Sequence, residues 1–151
     1  MNPTMNANAA TAGGALAGRS QDDAGKLLLR VSVGVLMLLH GLFKIGAGTG
    51  FVVGLVEGLG LPGVLAHLVY VGEIVAPLLM IVGLWTRPAA LVVAINMLVA
   101  ILLVHTGQLL ALTKQGGWAL ELQGLFLFGA LAVALLGAGR YSVGGTQGRY
   151  N

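Results

Sequence analysis

Residues 64–84 read VLAHLVYVGEIVAPLLMIVGL, an almost unbroken apolar run with a single carboxylate, Glu73, near its middle. Pro62 stands before the run, and Trp85, Thr86, Arg87 and Pro88 follow it. At 1.5 Å per residue, about 21 residues make a helix of roughly 30 Å, the thickness of a bilayer's hydrocarbon core. A carboxylate at that depth costs on the order of 2.5–3.5 kcal/mol on insertion scales, so it requires an ion partner, a proton or water. A chain containing such a segment has to fold in lipid, and its chemistry has to start from Glu73.

Composition agrees. Only 9% of the 151 residues are charged and 57% are hydrophobic, whereas a soluble domain carries about a quarter charged residues. The net charge of +3 then reads as a topology signal, and no nucleic-acid partner is expected. The 25 glycines suit close helix–helix approach in lipid. The absence of cysteine excludes disulfide exchange, Cys-ligated iron–sulfur clusters, thiolate-bound haem and Cys nucleophiles. It also separates the chain from four-helix membrane thiol oxidoreductases.

Residues 1–24, rich in Ala, Asn, Gly and Thr without an apolar period, are expected to form a disordered N-terminal tail. A membrane domain over residues 25–143 follows, with spans at about 27–47, 64–84, 89–106 and 118–137, and then a C-terminal tail, 144–151. The first span carries Arg30, expected to snorkel to the headgroups, and His40 and Lys44, which share a face four residues apart. Between spans one and two, residues 46–62 read as a short amphipathic segment at the interface. The brief link at Trp85–Pro88 makes spans two and three an antiparallel hairpin. The fold class is thus an all-α membrane protein, a four-helix antiparallel bundle. Arg19, Lys26, Arg30, Arg87, Arg140 and Arg149 fall on the side of both termini, against Lys44 and Lys114 opposite. That asymmetry places both termini in the cytoplasm.

With this topology every ionisable group within the spans, except Arg30, lies in the outer half. His40 and Lys44 come from span one, Glu73 and His67 from span two, His105 from span three and Glu121 from span four. Such groups gather because a lone charge in hydrocarbon is unfavourable: Lys44 can offset Glu73 or Glu121. The candidates for proton handling are Glu73 and Glu121; those for binding a polar headgroup such as a quinone ring are His40, Lys44, Asn96 and His105. Asn96 and His105 are nine residues apart, half a turn out of phase, so an ideal helix cannot aim both inward. Asn96 then serves as an interhelical clamp. No HxxE or ExxH spacing occurs on a span, and no metal or haem is expected.

Several short stretches resemble the DoxX family of small four-helix bacterial membrane proteins. They are HGLFK (40–44), Gly60-Leu61-Pro62, Gly72-Glu73, GLWTRPAA (83–90), the 96–100 stretch with His105, GGWALE (116–121) and GAGRYSV (137–143). The family's usual ending is Gly-Pro-Gly-Arg-x-Ser-Leu-Asp; here Ala138 replaces the proline and Gly144 stands in the aspartate's place. The resemblance implies a multi-pass protein of the bacterial inner membrane, tied to quinone-linked redox as in the small subunit of thiosulfate:quinone oxidoreductase. It raises Glu73, His105 and Glu121 among the candidates. It also implies a protein partner that supplies electrons and leaves self-association open. Two other readings of the residues stand beside it: a non-catalytic membrane anchor or assembly subunit, and a small transporter or metal-handling protein.

Overall fold

The computed structural model describes residues 3–146, 148, 150 and 151, with side chains from Gly18 onward. The regular elements among the described residues are helices: α1 (Pro3–Ala47), α2 (Gly50–Gly58), α3 (Ala76–Val82), α4 (Thr86–Val104) and α5 (Glu121–Leu136). Three stretches are long and apolar enough to cross a membrane: Gly18–Ala47, Gly63–Val82 and Thr86–Val104. α5 is apolar but has 16 residues, about 24 Å of helix. It starts later than the expected 118 because the preceding residues are tied into the loop. The Ala119 N–H donates to the Ala111 carbonyl at 2.9 Å, and the Trp118 indole N–H to the Leu109 carbonyl at 2.8 Å.

The expected N-terminal tail is helical over its described residues. From Pro3 onward the described backbone is helical and continuous with the first span, while Met1 and Asn2 lie outside the described residues. Alanine is the strongest helix former, and no proline between Pro3 and Pro62 stops propagation. Asp23, assigned to that tail by the sequence, is buried, and its Oδ1 accepts the Arg140 backbone N–H at 3.1 Å.

The core joins four helices: Val33 and Met37 of α1, Ala76 and Met80 of α3, Ala90, Val93 and Met97 of α4, and Phe126, Ala130 and Val133 of α5. Many inward positions are small, while Leu91, Ile95, Leu98 and Leu102 of α4 and Leu125, Phe128 and Leu135 of α5 face outward. Small residues inside and large apolar ones outside is the arrangement lipid favours, because tight packing holds such helices together where apolar burial does not.

The second span departs from one regular helix. Gly63–Leu68 is 3₁₀, Val71–Val75 is a π turn, and α-helix resumes at Ala76. Pro77 explains the change. It lacks the N–H that would bond the Glu73 carbonyl four residues back, and its ring would strike that carbonyl. The Ala76 N–H reaches instead to the Val71 carbonyl, which gives the wider turn.

At the opposite end Arg30 corrects the snorkelling expectation, being 1% exposed. Its Nη1 donates to the Met80 and Ile81 carbonyls at 2.7 and 2.6 Å, and its Nη2 to the Tyr141 carbonyl. α3 stops at Gly83 in the left-handed region, φ 76°, so its last carbonyls lack intrahelical donors and its negative dipole end faces the guanidinium. Here the tail returns: Asn151 Oδ1 accepts from Thr86 Oγ1 at 3.0 Å, and Asn151 Nδ2 donates to the Gly83 carbonyl at 3.1 Å. The Asn151 amide fills the space that a side chain at 144 would need.

Candidate functional site

Glu73 lies on the π turn and is 4% exposed. Its carboxylate receives two hydrogen bonds from Lys44 Nζ, at 2.7 Å to Oε1 and 2.6 Å to Oε2. α1 comes close enough to the second span because Gly41 has no side chain at that crossing, and Gly72 lets α4 approach the span in the same way. A Cβ on Gly41 would stand 2.5 Å from the Glu73 carbonyl, and one on Gly72 would stand 2.5 Å from Asn96 Cγ. The Tyr70 hydroxyl donates to the Lys44 carbonyl at 3.3 Å, fastening the end of α1 to the same span.

A cavity of about 150 Å³ opens beside this pair. His40, Lys44 and Met37 line it from α1, Glu73 from the second span, Met97, Ala100 and His105 from α4 and its end, and Leu122, Gln123 and Phe126 from α5. The lining mixes apolar side chains (Met37, Met97, Leu122 and Phe126) with polar ones (His40, Lys44, Glu73, His105 and Gln123). His40 Nδ1 donates to the Leu36 carbonyl at 2.8 Å, which leaves Nε2 as the other ring atom. The ring stands edge-on to Phe126, with centroids 5.4 Å apart.

His105 is held on both sides. Its Nδ1–H donates to Gln108 Oε1 at 3.1 Å, and its Nε2 accepts from Gln123 Nε2 at 3.2 Å. Those partners define the neutral, Nδ1-protonated tautomer. Helical phase would turn His105 away from Asn96's face only in an unbroken helix, but α4 ends at Val104 and His105 (φ −119°) follows it. Freed from helical phase, His105 lines the cavity while Asn96 packs over Gly72.

The structure thus brings together His40, Lys44, Glu73 and His105. Asn96 does not line the cavity; it packs against Gly72, the residue before Glu73. Glu121 is exposed at the start of α5, with its carboxylate over Gly117 and outside the cavity lining. His67 is exposed and turned onto the Val64 carbonyl. Gln123 is the lining residue that sequence reasoning passed over. Its signal was an amide within an apolar helix, a residue type that seeks interhelical hydrogen bonds in lipid. Among the described residues, no three His, Asp or Glu side chains come together as metal ligands.

Apolar-faced helices sharing a polar cavity at one end define a multi-pass helical membrane protein. The DoxX family profile matches residues 25–106, more than half of the chain, and the chain belongs to that family. The match runs from Gly25 in α1 to Thr106, just past α4, and stops before α5. No curated protein and no solved structure matches the chain.

Proposed function

We propose that this chain is a four-span subunit of the bacterial inner membrane, with both termini cytoplasmic, whose outward-facing cavity binds a quinone headgroup and handles its protons. The observation that carries the reading is the Lys44–Glu73 pair at the wall of a small cavity lined by both polar and apolar side chains. At about 150 Å³ the cavity is below the roughly 300–1,000 Å³ of sites for whole drug-sized ligands. A single ring fits that space, with its tail left in lipid.

The donor set suits such a ring. Lys44 uses two N–H groups on Glu73 and keeps a third, which can donate to a ring carbonyl. Gln123 supplies an amide, and His40 Nε2 can accept or carry a proton. Glu73 holds a proton when Lys44 turns toward a ligand. Met37, Met97 and Phe126 exclude water from the ring faces. A bound quinone supplies a carrier of two electrons and two protons, with the electrons coming from a redox protein that docks on this subunit. Glu121, outside the lining, has no part in this scheme.

The test is direct binding. The purified chain in lipid nanodiscs should carry extractable quinone above the level of the surrounding lipid and should bind a short-tailed quinone saturably. Lys44→Met should weaken that binding at least tenfold. Quinone-free protein that remains active in its complex overturns the proposal. One observation favours a second reading: the ion pair satisfies itself, as the polar key of an anchor subunit would. Under that reading Glu73→Gln impairs assembly together with turnover; under ours, assembly survives and turnover falls.

A further inference from the structure

Gln123 touches His105 through one end of its amide and lines the cavity. We infer that the protonation state of His105 decides which end of the Gln123 amide faces the ligand, so that this pair sets whether the cavity offers an acceptor or a donor. The inference rests on the quinone reading only for the identity of the ligand.

Gln108 Oε1 can only accept, so His105 Nδ1 stays protonated in either charge state. Nε2 is then the atom that gains or loses the proton. In the neutral ring Nε2 is bare and takes an N–H from Gln123, which leaves Gln123 Oε1, an acceptor, for the cavity. In the imidazolium Nε2–H is a donor, and two donors cannot share the contact. The amide then turns over, Oε1 meets His105, and the NH₂ group serves the cavity. A quinone presents carbonyl acceptors and a quinol presents hydroxyl donors, so the first state suits quinol and the second suits quinone.

The other titratable groups facing this space are His40 and Lys44 from α1 and Glu73 from the second span; α5 adds no titratable group to the lining, only the Gln123 amide beside Leu122 and Phe126. Lys44 and Glu73 are occupied with each other. His40 is anchored through Nδ1, and protonation of its Nε2 changes the cavity in the same direction as the Gln123 flip. A test therefore has to separate the two histidines.

Two measurements do so on the full chain in nanodiscs. The first needs no ligand: ¹⁵N spectra of His- and Gln-labelled protein. At the high-pH end of a titration, where the ring ¹⁵N shifts show His105 neutral, its Nε2 should be bare and coupled through the hydrogen bond to the Gln123 amide nitrogen. At the low-pH end, where the same shifts show the ring protonated, that nitrogen–nitrogen coupling should vanish. A coupling that persists while the ring is protonated, or is absent at both ends, overturns the flip. The second uses short-tailed quinone and quinol as probes, in a His40→Gln background. The ratio of quinone to quinol affinity should rise roughly tenfold from the higher pH to the lower, the scale of one hydrogen bond made against one lost. Gln123→Met should flatten that change. Binding with a pH-independent ratio, or a ratio that still shifts in Gln123→Met, sinks the inference alone. If neither probe binds at either pH while the ¹⁵N result holds, the quinone reading fails and the amide flip stands.

Discussion

Lys44 and Glu73, 29 residues apart in the chain, face each other as a two-pronged ion pair, with one ammonium reaching both carboxylate oxygens at 2.7 and 2.6 Å. Glu73 is on the turn that Pro77 forces open, and Lys44 is one turn beyond Gly41, whose bare backbone lets the two helices meet. The most polar contact at this end of the bundle therefore rests on a proline and a glycine that carry no charge.

Removing either partner should strand the other. For a fully buried pair the loss is about 3–5 kcal/mol; with the Lys44 side chain 28% exposed, Glu73→Gln and Lys44→Met should each fall at or below the lower end. The double variant should lose less than the sum of the two, as a double-mutant cycle in detergent unfolding reads directly. Additive losses would mean the pair has no coupling.

Gly41→Ala should push α1 off the π turn, because its new methyl meets backbone atoms of Glu73 that have little room to shift. A loss of about 1–3 kcal/mol is expected from such overpacking. Gly46→Ala, on the same helix with nothing within 4 Å, should be neutral or stabilising by up to about 1 kcal/mol. Thermal melts of both variants decide it, and equal melting temperatures would refute the close-approach argument.

Gly72→Ala meets a side chain instead of backbone. Its methyl strikes Asn96, so Asn96→Ala should restore most of the stability that Gly72→Ala removes. Absence of rescue would show that the crossing is limited by something other than Asn96.

At the other end, Arg30→Lys should behave as a disruptive change. A lysine cannot reproduce the fork that serves the Met80, Ile81 and Tyr141 carbonyls. With charged hydrogen bonds contributing about 1.5–3 kcal/mol each, loss of one or two should lower the melting temperature clearly, while the Lys44–Glu73 pair in the surviving folded protein stays intact.

Asn151→Ala should loosen the hairpin without touching the cavity. Thr86 loses its partner for both N–H and hydroxyl, so hydrogen exchange at the Thr86 amide should accelerate while that around Glu73 is unchanged. Glu121→Gln serves as the complementary control: exposed and outside the lining, it should shift stability by no more than about 0.5 kcal/mol and leave the quinone binding proposed above unaffected.

What the residues determined alone were one-body properties. Apolar runs of bilayer length, the carboxylate inside one of them, and the shared face of His40 and Lys44 all follow from helical rise and period, which depend on no other part of the chain. What only tertiary structure decided were the pairings and the places where helical phase breaks. The π turn at Glu73 shifts every later residue of its span by about 100°, and the end of α4 releases His105 from the phase that Asn96 obeys. Arg30 looks like a snorkelling side chain until Gly83 ends α3 in front of it, and Gln123 looks like a span residue until His105 arrives beside it. Periodicity tells which side chains share a face, but which faces meet depends on helix rotation and on irregular turns, and those are set by contacts between segments far apart in the chain.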